Sequence, residues 1–208
     1  MRTLLVTMFL SLDGVLQAPG GPDEDRDGGF EHGGWAVPYF DEPLIARMAG
    51  LVGRAGALLL GRRTYESFAA TWPLAGDDDP IGATMNRLPK YVASRTLDSV
   101  GWRNATLLAG DAAAAVAALK AGDGGEIQVH GSGDLVQTLL AHDLVDAFHL
   151  VTFPVLLGRG KRLFAAGTAP AGLELVNTAA SATGVVVSTY ARGGRLEYGA
   201  MGPETGNW

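Results

Sequence analysis

The stretch Glu126-Ile127-Gln128-Val129-His130-Gly131-Ser132-Gly133-Asp134-Leu135-Val136 decides how the rest of the chain is read. Residues 126–130 have strand character and end on a glycine turn. Leu135, Val136, Leu139 and Leu140 then recur at helical spacing to about Ala141. A strand that runs through glycine into a helix is the repeating unit of a parallel sheet, because parallel strands need a long crossover. Working outward, residues 57–60 form a short buried strand that stops at Gly61, with a helix over 64–70 closed by Trp72-Pro73. Residues 91–94 and 106–108 read as further strands, and Asp111 caps an alanine-rich helix that ends at Gly122. The run 4–10 is apolar throughout, as in a central strand covered on both faces. Residues 145–153 form another strand, and 173–180 with 185–191 a closing hairpin. The expected fold is α/β: a mostly parallel sheet with helices on both faces and an antiparallel edge.

Residues 14–40 break the pattern. They hold six glycines between Gly20 and Gly34, three prolines and the acids Asp23, Glu24, Asp25 and Asp27, without periodicity. A loop of this length inside a compact domain is usually functional, and a lid is the expected role. Asp41-Glu42-Pro43 then opens a helix with an N-cap acid and proline in its first turn. One domain over 1–198 is expected, with a flexible tail at 199–208.

The composition narrows the chemistry. The 208 residues carry a net charge of -6, which disfavours nucleic acid and anionic membrane as partners. There is no cysteine, so disulfides, thiolate nucleophiles and cysteine-bound metals are excluded. His32, His130, His142 and His149 lack metal-ligand spacing, and no metal is expected. The apolar start lacks a small-x-small cleavage site and runs into Asp13-Gly14, so a signal peptide is not expected and the cytoplasm is.

In parallel sheets ligands bind beyond the carboxyl ends of the strands. Gly61-Arg62-Arg63-Thr64 and Ser94-Arg95 occupy two such ends, and guanidinium groups there suit phosphate. Gly131-Ser132-Gly133-Asp134 joins a strand to a helix N-terminus, which suits a pyrophosphate, although the same residues also make an ordinary turn. The full Gly-x-Gly-x-x-Gly fingerprint is missing, which disfavours a Rossmann reading. Asp13, after the first strand, and Asp41, at the helix after the loop, are the candidate catalytic acids, with turn and helix capping as their alternatives. Phe30, Trp35 and Tyr39 are the candidate lid or stacking residues, with core packing the alternative for Trp35.

Four of these motifs, in order, resemble the dihydrofolate reductase superfamily: Ser11-Leu12-Asp13-Gly14, the run from Leu60 through Gly61-Arg62-Arg63-Thr64 to Glu66, Ser94-Arg95, and Val129 to Gly133. The stretch from Pro154 to Phe164 resembles the branch that contains the C-terminal reductase domain of riboflavin biosynthesis. Trp35 to Asp41 resembles the Trp-x-x-Pro-x-acid stretch of dihydrofolate reductases with one extra residue. The resemblance implies an eight-stranded mixed sheet with about four helices, NADPH as hydride donor and a homodimer. It implies that Gly61, Arg62, Arg63 and Thr64 line the phosphate path. Ser94 and Arg95 would hold the 2′-phosphate, and Gly131 to Gly133 the pyrophosphate. The implied activity is that of a 5-amino-6-(5-phosphoribosylamino)uracil reductase acting on a small heterocycle. Dihydrofolate reduction and NADPH binding without turnover are the alternatives.

Overall fold

A computed structural model describes residues 1–76 and 78–202. Eight strands form one sheet in the order β4-β3-β2-β5-β1-β6-β8-β7. They are β1 (Leu4–Ser11), β2 (Ala55–Gly61), β3 (Lys90–Ala93), β4 (Ala105–Leu108), β5 (Glu126–His130), β6 (Ala147–Phe153), β7 (Leu173–Ala180) and β8 (Val186–Arg192). The first six run parallel, and β8 turns antiparallel against both β6 and β7. The five α-helices are α1 (Glu42–Gly53), α2 (Arg62–Thr71), α3 (Pro80–Arg87), α4 (Ala112–Ala121) and α5 (Gly133–Ala141). The architecture is the expected one, with the antiparallel strands at one edge.

Strand β1 is buried on both sides because it lies between β5 and β6 under two layers of helices. Leu4, Val6, Met8 and Leu10 pack with Val136 and Leu139 of α5 and Val116 of α4. The opposite face carries Phe153 and Val151, covered by Leu44, Met48 and Leu51 of α1. Asp41 caps α1, its Oδ1 accepting from Leu44 N at 2.8 Å, and Asp111 caps α4 in the same way at 2.9 Å.

Helix α3 is the element that the sequence pattern does not announce. Gly82, Thr84 and Asn86 are weak helix formers. Tertiary contacts hold it instead. The buried Asn86 side chain accepts from Trp102 Nε1 at 2.8 Å and donates to Trp72 O at 2.8 Å. The Lys90 ammonium is buried nearby, giving its protons to the carbonyls of Asn86, Leu88 and Arg103 at 2.8–3.1 Å, 4.2 Å from the Trp102 ring centre.

The loop after β1 is irregular, as its composition implies, but its base is packed. Val15, Ala18, Phe30, Trp35 and Ala36 are buried in the same cluster as Phe153. Trp35 donates through Nε1 to Gln17 O at 2.7 Å and meets Phe153 edge-on. Residues 14–16 pair with the segment after β6: Leu16 N donates to Lys161 O at 2.8 Å, and Val15 bridges Arg162. The tail expected at 199–208 falls, from 203 onward, outside the described residues. Among the described residues no helix is long and apolar enough to cross a membrane.

Candidate functional site

Parallel pairing brings the carboxyl ends of β3, β2, β5 and β1 to one edge of the sheet, since Gly61 lies opposite Ala93 and Thr7 opposite His130. Arg62, Ser94 and Gly131, each one residue past its strand, therefore share that edge. The turns interlock. Ser132 Oγ accepts from Gly61 N at 2.9 Å and donates to His130 O at 2.9 Å, while Ser132 N donates to Thr64 Oγ1 at 3.0 Å. Ser132 and Thr64 are thus fasteners between the ends of β2 and β5, the Ser132 hydroxyl being spent on Gly61 and His130 and the Thr64 hydroxyl oxygen on the Ser132 amide. Ser132 holds a left-handed φ of 58° and Gly131 one of 53°. A Cβ on Gly131 would stand 3.1 Å from Thr64 Oγ1. Helix α5 starts at Gly133, and its first amides have no acceptor within the helix.

The three arginines expected near phosphate have different surroundings. Arg62 is spent on Glu66 one helical turn on, at 3.1 Å. Arg63 pairs with Asp27 and lies 3.6 Å from Asp25. Arg95 is exposed and has neither a hydrogen bond nor an ion pair among the described residues. Ser94 Oγ accepts from Thr96 N and Leu97 N at 3.1 and 3.0 Å, which keeps its own proton free to donate. Asp134, exposed in the first turn of α5, adds to the negative charge around Arg63 and suits a hydroxyl better than a phosphate.

Both candidate acids are engaged as acceptors. Asp13 takes a hydrogen bond from Ser11 Oγ at 2.6 Å and from the amides of Leu157 and Gly158 at 3.1 and 2.8 Å. The Ser11 hydrogen bond first, and the two amides with it, stabilise the charged form and hold its pKa down at about 2 against the opposing effect of burial. Asp13 therefore clamps the end of β1 to the segment after β6. Asp41 Oδ1 caps α1 and its Oδ2 accepts from Thr183 N at 3.3 Å. This geometry gives both acids the capping roles named as alternatives, and the depressed pKa of Asp13 keeps that group charged.

Trp35 and Phe30 are core residues in the structure, and Tyr39 is half-buried with its carbonyl accepting from Thr183 Oγ1 at 2.7 Å. Further aromatic groups also reach solvent. Phe9 is half-buried on β1, and the 37% exposed Phe40 ring lies 5.6 Å from it. Phe68 of α2 is half-buried over His130. Sequence reading passed over Phe9 and Phe68 because an apolar residue in a strand or short helix reads as core, and over Phe40 because it stands at the end of the loop.

A family profile described as the RibD C-terminal domain matches residues 2–187. The chain is 26% identical over 196 residues to the uncharacterized protein YyaP of Bacillus subtilis, covering 91% of this chain and 94% of YyaP. Its fold is similar to that of a putative riboflavin biosynthesis protein from Shewanella. The TM-score is 0.64 and the identity 24%, with 92% of this chain and 99% of that one covered. It is also similar to dihydrofolate reductase from Enterococcus faecalis, solved with NADP(H), at a TM-score of 0.57 and 13% identity over 91% of this chain and 96% of that one. The sheet order, the helices on both faces and the profile over nearly the whole chain lead to one assignment: this chain belongs to the RibD C-terminal domain family and has the dihydrofolate reductase-like fold.

Proposed function

We propose that the chain is an NADPH-dependent oxidoreductase, one reductase domain over 1–198, that reduces a small heterocyclic substrate resembling a ribosylaminopyrimidine. The observation that carries this reading is the Arg95 guanidinium, unpartnered among the described residues, beside Ser94 and on the same sheet edge as the Gly131–Gly133 turn and the N-terminus of α5. A dinucleotide with a 2′-phosphate fits those groups. Arg95 and the Ser94 hydroxyl would hold the 2′-phosphate, and the α5 amides the pyrophosphate. NADPH, when bound, supplies the hydride. The chain's part is positioning and the exclusion of water. The packed base of loop 14–40 shields the end of β1, and Phe9 and Phe40 offer apolar faces to a flat ring. With Asp13 and Asp41 engaged as acceptors, the proton is assigned to water.

The direct test is titration with NADPH followed by a turnover screen over ribosylaminopyrimidines and dihydrofolate, read as loss of nicotinamide absorbance. Binding without turnover on any of them would leave only a nucleotide-binding module; no binding would end the reading. Gly131→Val is a second check. A β-branched residue at φ 53° is strained, by roughly 1–2 kcal/mol, and its Cβ presses on Thr64. NADPH affinity is expected to drop at least about tenfold while the circular dichroism stays native-like.

We also infer a homodimer, supported by β7. All but one of its residues are exposed, and Leu175 and Val176 are 54% and 63% exposed on an edge strand that pairs on one side alone. Exposed apolar edges invite pairing with another chain. Val176→Asp is expected to convert dimer to monomer in sedimentation. An unchanged mass would place the interface elsewhere, and a monomeric parent protein would refute the dimer.

A further inference from the structure

Arg63 lies in the first turn of α2 and Lys161 in the segment after β6, yet both reach one carboxylate oxygen. Lys161 Nζ donates to Asp27 Oδ2 at 2.9 Å and to Asp25 Oδ2 at 2.5 Å. Arg63 meets the same Asp27 Oδ2 and lies 3.6 Å from Asp25 Oδ1. Lys161 first, and then Arg63, hold the Asp27 carboxyl below the usual carboxylate range. Two cations from separate elements thus converge on two carboxylates from the acidic loop. A cavity of about 330 Å³ opens beside them, lined by Gln17, Asp27, Phe30, Arg159 and Lys161 among others.

The acidic segment is held differently from the base of its loop. At the base, Gly34 N donates to Ala18 O at 2.8 Å and Ala36 N to Pro19 O at 3.1 Å. Gly33 packs so closely on Gly21 and Pro22 that a Cβ would overlap their backbone. The tip is held by side chains. Gln17 Nε2 donates to the carbonyls of Asp25 and Asp27, Arg159 donates to those of Gly28 and Gly29, and the ion pairs complete the attachment. The four ionic side chains are 20–53% exposed. Exposed ion pairs are weak. One phosphate group, with a charge near about -2 and roughly three acceptor oxygens, can meet both cations at once and so match from a single group what the two carboxylates supply together.

We propose that Arg63 and Lys161 form a binding site for a phosphate-class anion which the chain's own Asp25 and Asp27 now fill, so that the acidic segment is an internal competitor that the ligand's phosphate displaces. The proposal draws on the reductase reading only for which ligand carries the phosphate; the competition itself needs no turnover.

The experiment measures binding of inorganic pyrophosphate, and separately of NADPH, by calorimetry to the parent protein and to Asp25→Asn/Asp27→Asn. Trypsin cleavage after the exposed Arg26 is the second readout. The double variant is expected to bind pyrophosphate about tenfold tighter, because the two competing carboxylates are gone. Pyrophosphate is expected to speed cleavage after Arg26 in the parent protein, a result that needs no variant to fold. Lys161→Gln is expected to weaken pyrophosphate binding. Tighter binding of NADPH as well assigns the site to the dinucleotide's phosphates; tighter pyrophosphate with unchanged NADPH assigns it to a phosphate on the other substrate. Equal or weaker pyrophosphate binding by the double variant overturns the proposal, as does cleavage that ignores pyrophosphate. Absence of hydride transfer alongside intact competition would sink the reductase reading alone.

Discussion

Replacing Arg95 with alanine is expected to weaken NADPH binding by tenfold to about a hundredfold while leaving NADH binding within about twofold. The range follows from losing the equivalent of one charge-assisted hydrogen bond, worth roughly 1.5–3 kcal/mol. Of the three arginines at this edge, Arg95 alone lacks a partner among the described residues, whereas Arg62 has Glu66 and Arg63 has Asp25 and Asp27. A free guanidinium at a strand end gives up no existing bond when it takes a phosphate. Its loss should therefore appear in full, and nothing in the fold should suffer, because Arg95 holds nothing in place. Arg62→Ala should cost far less, since its charge is already shared with Glu66. Arg95→Lys should retain part of the preference, keeping the charge but losing bidentate geometry. The measurement is paired titration with both nucleotides. Equal losses for the two would mean that Arg95 does not read the 2′-phosphate and would remove the main support for the cofactor.

The difference between Arg95 and Arg63 also shows what a sequence can and cannot disclose here. The order of strands, glycine turns and helices was legible because each unit is local. Residues 126–130 end at His130 in pattern and in structure alike, since Gly131 stops the strand. Asp41 and Asp111 announced their helices because capping depends on the next three residues. Helix α3 was not legible, because Asn86 is kept helical by Trp72 and Trp102 rather than by its neighbours. The acidic run 23–27 and the basic run 159–162 were both visible as charge, but nothing local says that they meet. Their pairing depends on the segments flanking them, residues 14–16 and 161–163, lying side by side. The same limit applies to Trp35 and Phe30. Aromatics in a glycine-rich loop read as lid residues until the packing against Phe153 and Gly160 makes them the floor beneath it.

A second long-range pairing carries a prediction for stability. Thr7 on β1 lies in register with His130 on β5 and with His149 on β6, so two buried imidazoles flank one strand. Gln128 Nε2 donates to Leu51 O and Glu126 Oε1, which leaves its Oε1 to accept from His130 Nε2 at 3.0 Å. His149 Nδ1 faces Thr189 Oγ1 at 2.8 Å, and its Nε2 faces the Arg54 guanidinium. Both rings are satisfied as neutral groups. Burial comes first for both; the neighbouring imidazole of His149 adds to it for His130 and the Arg54 guanidinium for His149, and both pKa values are pushed down to about 4 from the ordinary 6.5. Below pH 6.5 the unfolded chain takes up protons that the folded chain refuses, so stability falls as the pH drops and the loss is complete near pH 4. A depression of this size corresponds to on the order of 3 kcal/mol per histidine. Two together are a large share of the roughly 5–15 kcal/mol that holds a domain folded. The urea midpoint is therefore expected to decline steeply between pH 6.5 and 4, before Asp13 begins its own loss between about pH 4 and 2. Glutamine at 130 or 149 keeps a hydrogen-bonding side chain but cannot titrate. Each single variant should flatten about half of the decline, at the cost of some stability near pH 7. A midpoint that stays level from pH 6.5 to 4 would mean that the imidazoles reach water or find new partners on protonation, and that the polar row beneath α1 is not sealed.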